Sequence, residues 1–223
     1  TVTGIGAGAM MQYETSSSSS NYWFTSVSFP KSLAYIAKDG CRGLERVKEL
    51  DFSATKLHTI GESAFYSCKS VETIRLPATL EKMGAESSIE VGDGDDKETL
   101  TYTENVFACC DALKNIFVVE ENPNFKDIDG ILFTKNGKKL IRYPNARAAT
   151  HYDIPAGVEV IGCQAFMQSY QGKSVLETVT FPDSVKMIEN LAFRQSNLTE
   201  VTLPVGATFG SCAFDICKKL TKV

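Results

Sequence analysis

Apolar and polar residues alternate in short triplets that return along the chain at a near-constant interval. They are Val27-Ser28-Phe29, Leu50-Asp51-Phe52, Ile74-Arg75-Leu76, Ile116-Phe117-Val118, Val179-Thr180-Phe181 and Val201-Thr202-Leu203, and Val223 opens a seventh. Alternation over so short a run predicts a strand with one buried face. The triplets starting at Val27, Leu50 and Ile74 lie 23 and 24 residues apart, and those starting at Val179, Val201 and Val223 lie 22 apart. Self-similarity at such a period predicts a solenoid, a stack of coils none of which buries its apolar side alone. The longer steps from Ile74 to Ile116 and from Ile116 to Val179 must hold insertions.

A second phrase precedes each triplet. It reads Ile60-Gly61-Glu62-Ser63-Ala64-Phe65, Ile161-Gly162-Cys163-Gln164-Ala165-Phe166 and Ile188-Glu189-Asn190-Leu191-Ala192-Phe193. Its last position is filled along the chain by Met10, Cys41, Phe65, Phe107, Phe166, Phe193 and Phe214. The phrase predicts a short helix or turn on the side opposite the strands, with a small Ala for close packing. A recurring aromatic would then fill the space between layers. Gly61, Gly84, Gly162 and Gly210 recur at one position, where a backbone turn would account for them. Pro30, Pro77, Pro182 and Pro204 follow triplets, remove a donor and end the strand there.

The single repeat domain expected over 1–223 is interrupted at 12–23, 86–104 and 122–155. The first interruption carries five consecutive serines and reads as a loop. The second is acidic and reads as a solvated loop. Its sharper alternative is a calcium site at Asp93, Asp95 and Asp96, whose spacing fails the EF-hand pattern. The third reads as a hairpin, Ile131–Thr134 and Lys139–Tyr143 around Asn136-Gly137, followed at Tyr152-Asp153-Ile154-Pro155 by a degenerate extra rung. A smaller insertion spans Met167 to Ser174, since Leu176 follows Phe166 four residues later than the repeat requires.

Composition narrows the function class. A net charge of −4 gives no basic footprint for nucleic acid. No stretch of apolar residues is long enough to span a bilayer as a helix. No signal peptide begins the chain and its first residues already lie inside a repeat, which suggests a mature or trimmed chain. Among seven cysteines, Cys68, Cys110 and Cys217 each sit three residues after the aromatic slot and predict a ladder of buried free thiols. Cys68 and Cys110 would lie on neighbouring rungs, so a disulfide between them is the alternative. No cysteine pair has zinc-ligand spacing.

No catalytic residue is indicated. The two histidines, His58 and His151, lack a Ser or Cys nucleophile at any recognised motif spacing, and there is neither Gly-x-Ser-x-Gly nor a phosphate-cradling glycine loop. No cofactor is implied. The residues between the buried triplet positions would form an exposed ladder instead. Its candidate binding residues are Glu49, Asp51, Thr73, Arg75, Asn115, Phe117 and Val119. Phe117 breaks the polar rule of that ladder beside Arg75, and an exposed aromatic next to an arginine has the composition of a binding hot spot. The competing reading is that the hairpin or the acidic insert covers Phe117.

The run from Ile60 to Pro77, with Ile-Gly-x-x-Ala-Phe-x-x-Cys followed by Leu-Pro, resembles the signature of the BspA-like leucine-rich repeat family. So do Asn124–Phe133 and Leu140-Ile141-Arg142-Tyr143-Pro144. The resemblance implies an α/β leucine-rich-repeat solenoid, a right-handed β/α superhelix. It would have a parallel sheet on one face and about seven rungs plus a β-hairpin insertion. It implies a secreted or cell-surface protein, adhesion or partner binding in place of catalysis, and a host or bacterial surface protein as partner. No binding residue carries across from the family. A structural spacer within a longer surface protein is the alternative. Carbohydrate is the weaker class of partner, because the exposed ladder holds few aromatics.

Overall fold

The computed structural model describes residues 1–11, 24–84, 86–91, 98–103, 105–170 and 172–223. The Ser-rich segment 12–23 and the candidate calcium residues Asp93, Asp95 and Asp96 lie outside the described residues.

Most coils carry two short strands, so the stack has two rows of parallel strands where the sequence predicts one sheet; of the predicted triplets, Val27-Ser28-Phe29 and Val201-Thr202-Leu203 form no strand. The first row runs through the isoleucine that opens each phrase. Gly4–Ile5, Tyr35–Ile36, Thr59–Ile60 and Lys82–Met83 pair in sequence, with Ile5, Ile36, Ile60 and Met83 in register. Further along, Lys139–Arg142, Val160–Ile161, Met187–Ile188 and Thr208–Phe209 repeat the arrangement in a separate sheet that does not pair with Lys82–Met83, with Leu140, Ile161, Ile188 and Phe209 in register. The second row holds the triplets. Glu49–Asp51, Thr73–Leu76 and Asn115–Val118 align Leu50 with Ile74 and Ile116. His151–Asp153 and Thr178–Thr180 align Tyr152 with Val179, and a single bridge joins Glu200 to Lys222.

No helix occurs among the described residues, so of the helix or turn expected for the phrase the structure has the turn, and the helical layer implied by the family resemblance is not found there. Two observations explain why. The fourth residue of the phrase is left-handed in coil after coil: Asp39 (φ 54°), Ser63 (51°), Gln164 (55°), Leu191 (60°) and Cys212 (56°). Another left-handed residue follows four positions later at Gly43, Ser67, Gln195 and Ile216. Left-handed residues at that spacing interrupt a right-handed helix within a turn. The phrase also sends its backbone donors to the next coil. Cys41, Tyr143, Phe166 and Phe193 donate their N–H groups to the carbonyls of Ala64, Ala165, Ala192 and Ala213 at 2.7–2.9 Å. Backbone donors buried in this way are satisfied between coils, so an i→i−4 ladder is not needed.

The glycines also act differently from expectation. Gly84 does have a positive φ (78°). Gly61 and Gly162 do not; a Cβ on Gly61 would lie 2.6 Å from the backbone of Ala37 and Lys38, and one on Gly162 would lie 2.8 Å from the Leu140 carbonyl. These positions need glycine because the previous coil passes too closely for any side chain.

The aromatic slot forms the core. Phe65 stacks on Phe107 at 5.8 Å, Phe166 on Phe193 at 4.5 Å, and Phe193 on Phe214 at 5.0 Å. Tyr143 takes the slot in the degenerate rung and stacks on Phe166 at 4.9 Å. The thiols repeat as well. Cys68 Sγ donates to the Cys41 carbonyl (3.3 Å), Cys110 to Phe65 (3.2 Å) and Cys217 to Phe193 (3.1 Å), in each case the slot residue of the preceding coil. All seven cysteines are free.

Two of the insertions carry strands that the sequence reading did not place. Glu86–Val91 and Glu98–Thr103 pair antiparallel, so the acidic segment is a hairpin and not a solvated loop along its whole length. The third insert is a three-stranded meander, in which Phe125–Ile128 precedes the predicted pair Ile131–Thr134 and Lys139–Arg142. Its first turn, Asp129-Gly130, has positive φ at both residues (51° and 73°) and accepts the Ile116 N–H at 2.8 Å through the Gly130 carbonyl. The meander turn thereby takes the edge of the triplet row between Asn115–Val118 and His151–Asp153.

Candidate binding face

Buried Leu50, Ile74 and Ile116 anchor the triplet strands, so period-two geometry turns Glu49, Asp51, Thr73, Arg75, Asn115 and Phe117 away from the core. The register places Asp51, Arg75 and Phe117 side by side, with Glu49 diagonal to Arg75. The Arg75 guanidinium lies 5.1 Å from the centre of the Phe117 ring, and its Nε donates to Glu49 Oε1 at 3.1 Å. Phe117 remains 36 % exposed. A carboxylate, a guanidinium and an aromatic therefore run as one patch across three coils. The two contacts fix the rotamer of a long side chain that would otherwise lose entropy on binding.

The other candidates are placed differently. Asp51 turns to Ser53, accepting from its N–H (2.9 Å) and its hydroxyl (2.7 Å). Asn115 Oδ1 accepts from Arg147 Nη1 at 3.4 Å, and Arg147 also pairs with Asp129. This ion pair fills the gap between the two halves of the triplet row. Val119 is half-buried and donates its N–H to the Leu76 carbonyl at 3.0 Å. Thr73 lies between Glu49 and Asn115 in the pairing.

The sequence reading left His151 and Asp153 out of the exposed row. In the structure they pair with Thr178 and Thr180. His151 Nδ1 lies 2.6 Å from Thr178 Oγ1, and its Nε2 lies 3.0 Å from Asp153 Oδ1 and 3.3 Å from Thr180 Oγ1. Bonding to His151 and Thr180 holds the Asp153 carboxyl below its ordinary range. The signal was present in Tyr152-Asp153-Ile154-Pro155, whose outward positions flank Tyr152.

Equivalent positions on parallel coils stack directly, so like charges there would repel. The chain alternates the sign. Glu72 sits between Lys48 (3.9 Å) and Lys114 (2.7 Å), and Glu159 between Lys138 (2.7 Å) and Lys186 (3.1 Å). The hydrogen bond from Lys114 and its charge lower the pKa of Glu72, and hydrogen bonds from Lys138 and Lys186 lower that of Glu159.

Comparison with known proteins identifies the repeat. The model of the BspA type leucine rich repeat region matches residues 16–138 and 142–223 in six copies. A leucine-rich repeat protein from Eubacterium ventriosum superposes with a TM-score of 0.70 at 24 % identity, covering 98 % of this chain and 56 % of that one. The pneumococcal vaccine antigen PcpA gives 0.52 at 20 % identity, covering 99 % and 67 %. A leucine rich cell surface protein from Faecalibacterium prausnitzii also gives 0.52 at 20 %, covering 100 % and 70 %. The chain thus spans little more than half the length of the Eubacterium protein. A search of curated protein sequences finds no match.

Proposed function

Because the chain belongs to the BspA-type leucine-rich repeat family, we propose that it is a non-catalytic module that binds a protein partner through its exposed triplet row. The observation that carries this reading is the Glu49–Arg75–Phe117 patch, a pre-ordered arginine over a partly exposed aromatic. Such pairs are enriched where partners bury their strongest contacts. The partner is a surface protein of a host or of a neighbouring bacterium, and the module acts outside the cell or on its surface. Two neighbours in fold are described as a vaccine antigen and a cell surface protein, which supports that location.

The non-catalytic reading rests on the openness of the face. The His151–Asp153–Thr178 group is the one place in the triplet row where an imidazole bridges a carboxylate and a hydroxyl. The group borders a solvent-open groove of about 420 Å³, and its His151 and Asp153 side chains are 46 % and 79 % exposed, so water competes for each bond.

The test uses Arg75→Ala with Phe117→Ala in one variant, compared with wild type in affinity capture from host epithelial surfaces and bacterial envelopes. A protein captured by wild type and lost in the variant, with an unchanged circular dichroism spectrum, supports the patch. Equal capture by both assigns binding to another face and rejects it.

A further inference from the structure

The Met167–Ser174 insertion plays no part in the triplet row, yet it builds one wall of a second site. The added residues carry Tyr170 out to 77 % exposure. The two following coils supply the facing walls, with Gln195, Ser196 and Asn197 from one and Lys218 and Lys219 from the other, around a pocket of about 160 Å³. The loop is fixed at both ends. Ser169 N donates to Asp111 Oδ1 at 3.2 Å and its hydroxyl bonds the same carboxylate, while Asn197 Nδ2 donates to the Ser174 carbonyl at 2.7 Å. Tyr170 itself is held by Lys218, whose Nζ lies 3.2 Å from the phenolic oxygen and 4.6 Å from the ring centre. The ammonium is nearer the hydroxyl end, so the body of the ring stays uncovered. Two lysines and no carboxylate line this pocket, on a chain whose net charge is −4.

We propose that this pocket binds one carboxylated sugar residue, such as the acidic end of a glycan. The ring of Tyr170 offers an apolar platform with a polar tip for the C–H face of a pyranose. Lys218 and Lys219 meet the carboxylate with charge-assisted bonds. The amides of Gln195 and Asn197 supply donors and acceptors for sugar hydroxyls. The volume is below that of sites for drug-sized ligands, which suits a single ring. This site lies apart from the triplet row and goes beyond the protein-binding reading, which neither requires it nor falls with it.

Saturation-transfer NMR and calorimetry with free glucuronic acid, glucose and inorganic sulfate test the proposal at low salt. Glucuronic acid is expected to receive saturation and to bind more tightly than glucose. Tyr170→Ala should weaken it about tenfold, the equivalent of one aromatic contact. Lys218→Gln with Lys219→Gln should erase its advantage over glucose. Arg75→Ala with Phe117→Ala should leave all of this unchanged. The replaced side chains are exposed, and circular dichroism confirms that the variants fold. Absence of saturation transfer from glucuronic acid, equal binding of glucose, or binding that tracks sulfate and ignores Tyr170→Ala would overturn the assignment.

Discussion

The Phe193 ring lies 4.5 Å from Phe166 and 5.0 Å from Phe214, nearly parallel to both (14° and 1°), while Phe181 meets it edge-on at 5.8 Å. Three coils thus share one side chain, which is fully buried. Truncation opens a cavity that rigid neighbouring coils cannot collapse into. Phe193→Ala is expected to cost about 3–5 kcal/mol, read from chemical denaturation. A loss below about 1 kcal/mol would show that this slot is not core.

The slot column and the triplet strands were legible because repetition averages out local ambiguity. One phrase that reads either as turn or helix becomes specific when it returns at the same spacing. Tyr143 escaped the pattern because its phrase is shortened; Leu140 pairs with Ile161, yet only two residues separate Leu140 from Tyr143, against four between Ile161 and Phe166. The turn geometry was not legible, since Leu191 adopts a left-handed φ of 60° with nothing in its chemistry to announce it. The acidic hairpin was concealed by composition, although Ile89 and Val91 do alternate with polar residues. For the binding face, Arg75 and Phe117 were readable as the same position on consecutive triplets. The diagonal from Arg75 to Glu49 required the register. The Tyr170–Lys218 contact spans 48 residues and only its insertion was visible.

Gly61 and Gly6 hold the same slot of the phrase in different coils and separate close approach from turn conformation. A Cβ on Gly61 meets the preceding coil's backbone at 2.6 Å, whereas one on Gly6 meets nothing within 4 Å. Gly61→Ala should destabilise by about 1–3 kcal/mol, as overpacking does. Gly6→Ala should be neutral or slightly stabilising through the unfolded chain. Equal denaturation midpoints for the two variants would refute the close-approach account.

Glu72 and Glu159 give the stack an acid limit. Both carboxyls titrate below their ordinary 4.5 in the folded chain because lysines on adjacent coils bond them. A depressed folded pKa contributes stability that is present above 4.5 and is lost as pH falls through the lower folded value. Thermal midpoints should therefore drop on acidification from pH 5 to pH 3, less steeply in Glu159→Gln and less steeply in 1 M salt, which screens exposed pairs. A midpoint that Glu159→Gln leaves equally acid-sensitive would remove this pair from the account.

The thiols report the packing from the opposite end of the pH scale. Cys212 is exposed and Cys217 half-buried, whereas Cys41, Cys68, Cys109, Cys110 and Cys163 are buried. Burial pushes the Cys41 thiol from 9.0 up to about 12. Since the folded value lies above the unfolded one, the neutral thiol's stabilisation is complete below pH 9 and fades as pH rises towards 12. The thiolate is the reactive form, so exposure and ionisation act together. A short iodoacetamide pulse at pH 8 should label Cys212 first, with Cys68 and Cys110 modified only as urea unfolds the chain. Peptide mass spectrometry reads the order directly. Native-state labelling of Cys68 or Cys110 at the rate of Cys212 would mean that their bonds to the Cys41 and Phe65 carbonyls do not hold the coils closed.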